Sequence, residues 1–561
     1  MAAPRIIVSW RRRCGRRRLG DASNSGLSAA PGRFRRPMRR ARTLEAMILD
    51  FETDELGDSW NADVCVVGAG AAGLALAHEL LRSGRRVMLL EGGGRSRWER
   101  TSQALNKTEL RGHRYAGAHS GRFRTLGGST SAWSGQVMEL DDLDFEPRPW
   151  VPGSGWPIPK AELREAYRRA EALERTDALP PNREVWRAHG GKPDLGEDFS
   201  ITLSRYCPEK KFVRVFSDLF DDPRCLLVLH ANAVELLASD NGRRIVGLRI
   251  RTLRGKETIV PVHRLALCLG GIETSRFLLN QRFCPWNASG LVGRHFQDHI
   301  QCFAGEVRKA DLHAPNWPFG PWRVGGSHLT KVRLAPAAQR RLRTLNVSGM
   351  IELEDGVYPA MRTGIKLLLG PASTITLGEL ARMAPFAPGA IWHHLRSKAD
   401  PKFTLPWAQP RLSVFCEQSP LSESRIELSQ ARDALGLRRA RLSWTISDLE
   451  LHTIRTYAKL AIEAFAAHGV EIVPHRDLMS DRFADRCGDM FHHCGGTRMS
   501  SDPNEGVVDT DLRLHGLDNA YVCSSSVFPT SGFANPTHTI IALAARLAER
   551  LGKQAALQRA A

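Results

Sequence analysis

The sequence predicts an α/β protein in two parts: a doubly wound, Rossmann-like nucleotide-binding domain and a second α+β domain built on an antiparallel sheet. Three observations carry this. Residues 63–91 read DVCVVGAGAAGLALAHELLRSGRRVMLLE, a strand, a Gly-rich turn, an amphipathic helix and a second strand ending in an acid. Residues 266–279, ALCLGGIETSRFLL, give the order strand, Gly turn, helix a second time. Between residues 300 and 447 several runs, among them NVSGMIELE and RLSVFCEQ, have strand character.

Each residue type in the first unit has a physical role. Val64, Val66 and Val67 form a short buried parallel strand and Gly68 makes the tight turn that ends it. Gly70 has no side chain, so backbone can approach a pyrophosphate, and Gly73 lets the next helix pack closely on the strand. The phosphates then meet a helix N-terminus, where unpaired N–H groups and the dipole favour an anion. Leu74, Ala77, Leu80 and Leu81 share one helix face, Gly84 ends the helix, and Val87 to Leu90 form the next strand. Glu91 follows at the interval of ~20 residues at which an acid reaches the ribose hydroxyls of an adenosine and disfavours a 2′-phosphate. This segment alone does not separate FAD from NAD.

Further along, TLGGSTSAWSG at 125–135 is rich in small residues, as a backbone running close to a ligand requires. Residues 160–175 read as a helix with an exposed face. From Cys225 to Cys268, LLVLHANAVELLAS, RIVGLRIRT and ETIVPVHRLALC read as a small antiparallel meander. The apolar and basic insertion at 357–407 reads as a helical pair covering the sheet, or as a substrate lid or membrane-surface contact. Ser447 or Asp448 caps a helix running to about His468, with Ala458, Ala461, Ile462 and Phe465 on its buried face. The expected domains are a discontinuous nucleotide domain at 60–145, 222–299 and 488–556, crossover and cap segments at 146–221, and a substrate domain at 300–487.

Composition excludes several function classes. The net charge of +19 resides largely in residues 1–46, where thirteen Arg face only Asp21 and Glu45; that leaves +8 for the remainder. Without a base-reading motif, nucleic acid is not an expected partner. The tail is too polar for a core and is expected to be disordered; it has the composition of a mitochondrial presequence, but translation starting at Met47 is the simplest account. No run of about 18 apolar residues appears, so no membrane span is expected. Eleven cysteines, without CxxC spacing, fit reduced thiols in a cytoplasmic enzyme and no structural zinc.

The C-terminal block is the most specific. FHHCGGTRM at 491–499 is followed by CSSSVFPTSGFANPTHTIIALAARLAERL. Together with LGGSTSAW, CLGGIETSRFLL, LVGRHFQDH at 291–299 and EQSPLSESRIELS at 417–429, it resembles the glucose-methanol-choline (GMC) family of flavoprotein oxidoreductases, in the family's motif order.

The resemblance implies FAD and oxidation of a CH–OH group of an alcohol or sugar-like substrate by hydride transfer to flavin N5. It implies a small-molecule alcohol as partner and oxygen, a quinone or a cytochrome as electron acceptor. Counting HxxGT back from Gly496 and Thr497 gives the catalytic role to His493, with His492 as second choice, and ANPT gives its partner as Asn535. Pro536 suits the first helical position and Asn535 the cap. Gly68, Gly70, Gly73 and Glu91 are assigned to the ADP half and Val234 to the adenine edge. Gly127, Gly128 and Ser129 are assigned to the isoalloxazine, with Ser524, Ser525, Pro536 and Thr537 among the remaining cofactor contacts. Ala132 stands where some sugar-oxidising members carry a flavin-linking His, so FAD is expected to be noncovalent. Adjacent residues such as His492, His493 and Cys494 rarely ligate one ion, and no metal is expected. A redox-neutral lyase of this fold and an inert flavin-binding protein are the alternatives. Trp317, Phe319 and Trp322 can stack on a substrate or pack a domain edge.

Overall fold

Six strands lie side by side in one wholly parallel sheet, in the order Ile48–Asp50, Cys225–Leu229, Val87–Leu90, Val64–Val67, Leu265–Leu267 and Ala520–Val522. They belong to a computed structural model that describes residues 48–57, 61–188, 190–309, 321–354 and 409–560. The tail at 1–46, the insertion at 357–407, Trp317 and Phe319 lie outside the described residues, as does the side chain of Trp322.

Every residue of the four central strands is buried. That burial is what a sheet covered on both faces demands. The helix Ala71–Arg82 follows the first central strand, buries Leu74, Ala77, Leu80 and Leu81, and packs against the C-terminal helix Thr537–Ala560. A chain that leaves this sheet after Leu267 thus comes back to it through Ala520–Val522, more than two hundred residues later.

The segment 225–268 divides differently from the expected meander. Cys225–Leu229 is a parallel strand of the nucleotide sheet, and only Asn232–Ala238, Ile245–Arg251 and Glu257–Pro261 form the antiparallel unit. The division falls at His230, whose φ of +54° breaks the strand. Its burial gives the reason: the first run is buried on both faces, the second alternates.

Among the described residues a nine-stranded antiparallel sheet forms the second layer, with a main path Glu471–Pro474, Ile300–Lys309, Gln409–Cys416, Val347–Glu354, Ser327–Leu334, Phe199–Tyr206 and Gln136–Val137. Phe199–Tyr206 falls in the stretch read as crossover and cap. Conversely, Arg425–Arg432 and Arg438–Trp444, read as part of this sheet, instead form a separate small sheet with Glu109–Gly112.

The helix Asp448–Ala466 covers one face of the large sheet. Ser447 caps it, with Glu450 completing the reciprocal pair of bonds. Tyr457 Oη donates to the Val332 carbonyl at 2.7 Å, and a Cβ at Gly349 would lie 2.6 Å from that hydroxyl. Val332, Val347, Val414, Ala458, Ala461 and Phe465 fill this side. Strand alternation then turns Gln301, Phe303, Lys331, Met350, Ser413 and Phe415 to the opposite face.

Candidate active site

The Gly-rich turn is built as a cradle. Cβ atoms at Gly68 and Gly73 would lie 2.5 Å from the Cys268 carbonyl oxygen and 1.8 Å from the Gly68 carbonyl oxygen, so neither position admits a side chain. At Gly70 a Cβ would meet nothing nearer than the Gly128 Cα at 4.0 Å, and the helix that starts there has no side-chain cap. Its first N–H groups are left for an anion. Gly127, at φ +90°, donates its N–H to the Ala69 carbonyl at 2.9 Å, which brings the 127–129 turn onto the first one. Ser129 Oγ donates to the Gly121 carbonyl.

Glu91 lies against the same turn, accepting from Ala69 N at 3.0 Å and Gly93 N at 2.9 Å. Burial raises its carboxyl to about 7, against the lowering effect of those bonds. Val234 lies at a bulge, between the Ala233 and Glu235 pairings, so the ladder skips its backbone. The uncapped helix, the open Gly70 and the acid at the next strand end fit the ADP half of FAD.

At the C-terminal constellation the side chain paired with Asn535 is His492, not His493. Asn535 Nδ2 lies 3.1 Å from His492 Nε2, and both residues are partly exposed. His493 turns the other way, buried beside Tyr115 and Phe296, with a Cβ at Gly271 landing 2.6 Å from its own Cβ. Among the described residues its Nε2 has no hydrogen-bond partner; the nearby Gly117 N–H is given to Asp489 Oδ2. Burial, then the Arg122 charge, pushes the His493 imidazole down to about 3.

The reason for the reversal is local. Gly495 and Gly496 are consecutive, so HxxG can be counted from either, and counting from Gly495 gives His492. Phe491 stands at φ +65° immediately before the pair. Asp298 Oδ1 accepts from His492 N at 2.9 Å and from His299 N at 2.7 Å, while Tyr115 Oη donates to Oδ2 at 2.5 Å. Burial first, and then the Asp489 charge, raises Asp298 to about 7.

A second imidazole completes the site. His492 Nδ1 lies 2.9 Å from His299 Nδ1, and His299 Nε2 lies 3.4 Å from the Ser531 carbonyl oxygen. A carbonyl can only accept, so His299 carries its proton on Nε2 and offers a lone pair at Nδ1. His492 must therefore donate from Nδ1, which leaves its Nε2 lone pair facing the Asn535 amide. Burial pushes His299 down to about 4, and burial together with the His299, His493 and Lys331 charges holds His492 well below the usual histidine value. Both rings are neutral at pH 7.

The remaining expected contacts fall nearby. Ser525 Oγ donates to the His493 carbonyl at 2.5 Å, and Ser524 Oγ accepts from Ser526 N, so these hydroxyls are spent holding the turn. Pro536, whose carbonyl accepts from Ile540 N at 2.9 Å, takes the cap position ahead of Thr537. Asn535 therefore does not cap the helix as expected; its amide goes to His492. The sequence reading gave no role to Asp298, His299 or Lys331, although QDH stands in the 291–299 block.

The sequence model described as FAD dependent oxidoreductase matches residues 63–271, and that described as GMC oxidoreductase matches 420–544. The chain is 24% identical to the 6'''-hydroxyparomomycin C oxidase of Streptomyces lividus, over 89% of this chain and 93% of the relative. It is 23% identical to the oxygen-dependent choline dehydrogenase of Chromohalobacter salexigens, over 89% and 96%. The pyridoxine 4-oxidase structure from Mesorbium loti aligns with a TM-score of 0.53 at 17% identity, over 87% of this chain and 99% of that one. With both sequence models matched in order along the chain, and relatives aligned over nearly nine-tenths of it, the chain belongs to the glucose-methanol-choline (GMC) family of FAD-dependent oxidoreductases.

Proposed function

We propose that this enzyme oxidises a CH–OH group of a small alcohol or sugar-like molecule, with His492 as the base and Asn535 as the group that holds the substrate oxygen. The observation that carries the reading is the 3.1 Å approach of Asn535 Nδ2 to His492 Nε2, each partly exposed. A hydroxyl oxygen seated between them gives its proton to Nε2 and accepts from the amide. Loss of that proton puts electron density on oxygen and drives the C–H bond to break. Bound FAD supplies the acceptor for the hydride at N5. His299, neutral and accepting from His492 Nδ1, stabilises the positive charge that forms on His492 when it takes the proton.

Cofactor roles for Gly68, Gly70, Gly73, Glu91, Gly127, Gly128 and Ser129 are supported by the cradle described above. We retain Val234, Ser524, Ser525, Pro536 and Thr537 as cofactor contacts through backbone rather than side chain. Ala132 offers no atom for a covalent flavin link, which supports noncovalent FAD. The electron acceptor is assigned as oxygen, a quinone or a cytochrome. Ten described cysteines are free and nine are buried, which supports a reducing compartment; no described helix is long and apolar enough to cross a membrane.

The test is anaerobic flavin absorbance of the FAD-loaded protein, before and after addition of sugars, polyols, sterols and aryl alcohols. Bleaching by one class, slowed in His492→Ala, is the expected result. Bound flavin that no alcohol bleaches would favour the redox-neutral lyase or the inert flavin protein instead.

A further inference from the structure

We propose that Lys331 is the oxyanion-recognition residue of the substrate site, so that the alcohol oxidised here carries a carboxylate. This rests on the alcohol-oxidising reading of the site and names the substrate class within it.

Lys331 is 5% exposed, on the strand Ser327–Leu334 near the middle of the large sheet. Its Nζ donates to Met350 Sδ at 3.7 Å and stands 4.0 Å above the Phe415 ring. It forms no ion pair among the described residues. A thioether and a benzene ring are weak partners for a primary ammonium taken out of water, and an isolated buried charge is costly until an anion reaches it.

The sheet register shows where that anion would sit. Val332 pairs with Gly349, which sets Lys331 opposite Met350; Met350 pairs with Ser413 and Ser413 with Phe303. Gln301, which alternates with Phe303 on the same face, donates to Ser413 Oγ at 3.1 Å and to Glu352 Oε2 at 3.2 Å. His299 is two residues before Gln301 and contacts His492. Gln301, Ser413 and Lys331 therefore share one sheet face, the face turned away from the helix Asp448–Ala466, and His299 immediately precedes the strand Ile300–Lys309 that carries Gln301.

Burial lowers the Lys331 ammonium to about 8, and the charge of Glu352 on the neighbouring strand favours it without pairing with it. One of the Glu352 oxygens is engaged by Gln301, and Glu352 makes no contact with Lys331 within ion-pair distance among the described residues. The Lys331 charge adds to the lowering of both His299 and His492. A carboxylate bonded to Lys331 and Ser413 would leave the rest of a short carbon chain to reach the His492–Asn535 pair.

The experiment titrates the FAD-loaded full chain with acetate and with acetamide, following the visible flavin spectrum, in the wild type, Lys331→Met and Lys331→Arg. Acetate is expected to bind about tenfold or more tightly than acetamide, with the preference lost in Lys331→Met and kept in Lys331→Arg. Thermal stability is expected to be unchanged or higher in Lys331→Met, because a buried ammonium without an ion-pair partner among the described residues is removed. In parallel, anaerobic flavin reduction by glycerate is compared with that by glycerol. Equal binding of acetate and acetamide, no binding of either, or acetate binding that survives Lys331→Met overturns the proposal. Lys331-dependent acetate binding in a protein whose flavin no alcohol reduces would sink the alcohol-oxidising reading while leaving the oxyanion site standing.

Discussion

The Nδ1 atoms of His299 and His492 lie 2.9 Å apart, and the carbonyl of Ser531 beyond them sets the direction of the whole chain of bonds. His299 thereby selects the tautomer that leaves a lone pair on His492 Nε2, which makes it a positioning residue for the base proposed above.

Removing that acceptor should slow proton removal without removing the base. His299→Leu is expected to reduce the rate of flavin reduction by an alcohol on the order of tenfold to a hundredfold, as loss of an orienting partner does for other functional imidazoles. His299→Gln, whose amide oxygen can accept from His492 Nδ1, should recover part of the loss. Equal rates in both variants, at every pH, would mean that His299 only fills space.

The two adjacent histidines should separate cleanly. His492→Ala is expected to slow flavin reduction by about a hundredfold to ten-thousandfold, the usual contribution of a general base. His493→Phe, placed against Tyr115 and Phe296, should keep the rate within about tenfold of the wild type. Stopped-flow absorbance of both variants with one substrate decides between the two registers.

His493 also makes a pH prediction. Its folded value of about 3 is below the ordinary 6.5, so between those values the unfolded chain binds the extra proton and the folded chain does not. Stability from this group is therefore complete above pH 6.5 and is lost as pH falls toward 3. Between pH 7 and pH 5 the loss is about 2 kcal/mol at ~1.4 kcal/mol per unit. His493→Phe lacks the group, so its denaturation midpoint should gain on the wild type over that interval. A difference independent of pH would show that His493 titrates normally.

Much of this site was legible in the sequence where physics acts locally. The strand, turn, helix and acid at 63–91 form because glycine is needed at defined positions within one short segment, and the structure has them there. What failed to show depends on distant contacts. His492 and His493 have different partners, and Asp298, almost two hundred residues earlier, takes hold of the His492 N–H. Cys225–Leu229 joins a parallel sheet because Val87–Leu90 and Ile48–Asp50 lie on either side of it, which no strand pattern reveals. Lys331 looks in sequence like any outward-facing strand lysine, and only the pairing of four strands sets it against Met350 and Phe415.

Two glycines with positive or crowded geometry should respond differently to the same substitution, and the difference isolates the cradle. A Cβ at Gly73 would stand 1.8 Å from the Gly68 carbonyl oxygen, which belongs to the turn proposed to receive the pyrophosphate. Gly84, at φ +77°, has nothing within 4 Å of its added Cβ. Gly84→Ala therefore carries only backbone strain, about 1 kcal/mol. Gly73→Ala must push the helix Ala71–Arg82 away from the strand Val64–Val67 and so open the turn. Absorbance of the purified proteins should show flavin retained in Gly84→Ala and lost in Gly73→Ala. Retention in both would mean that the 68–73 turn tolerates displacement and that the phosphates are held elsewhere.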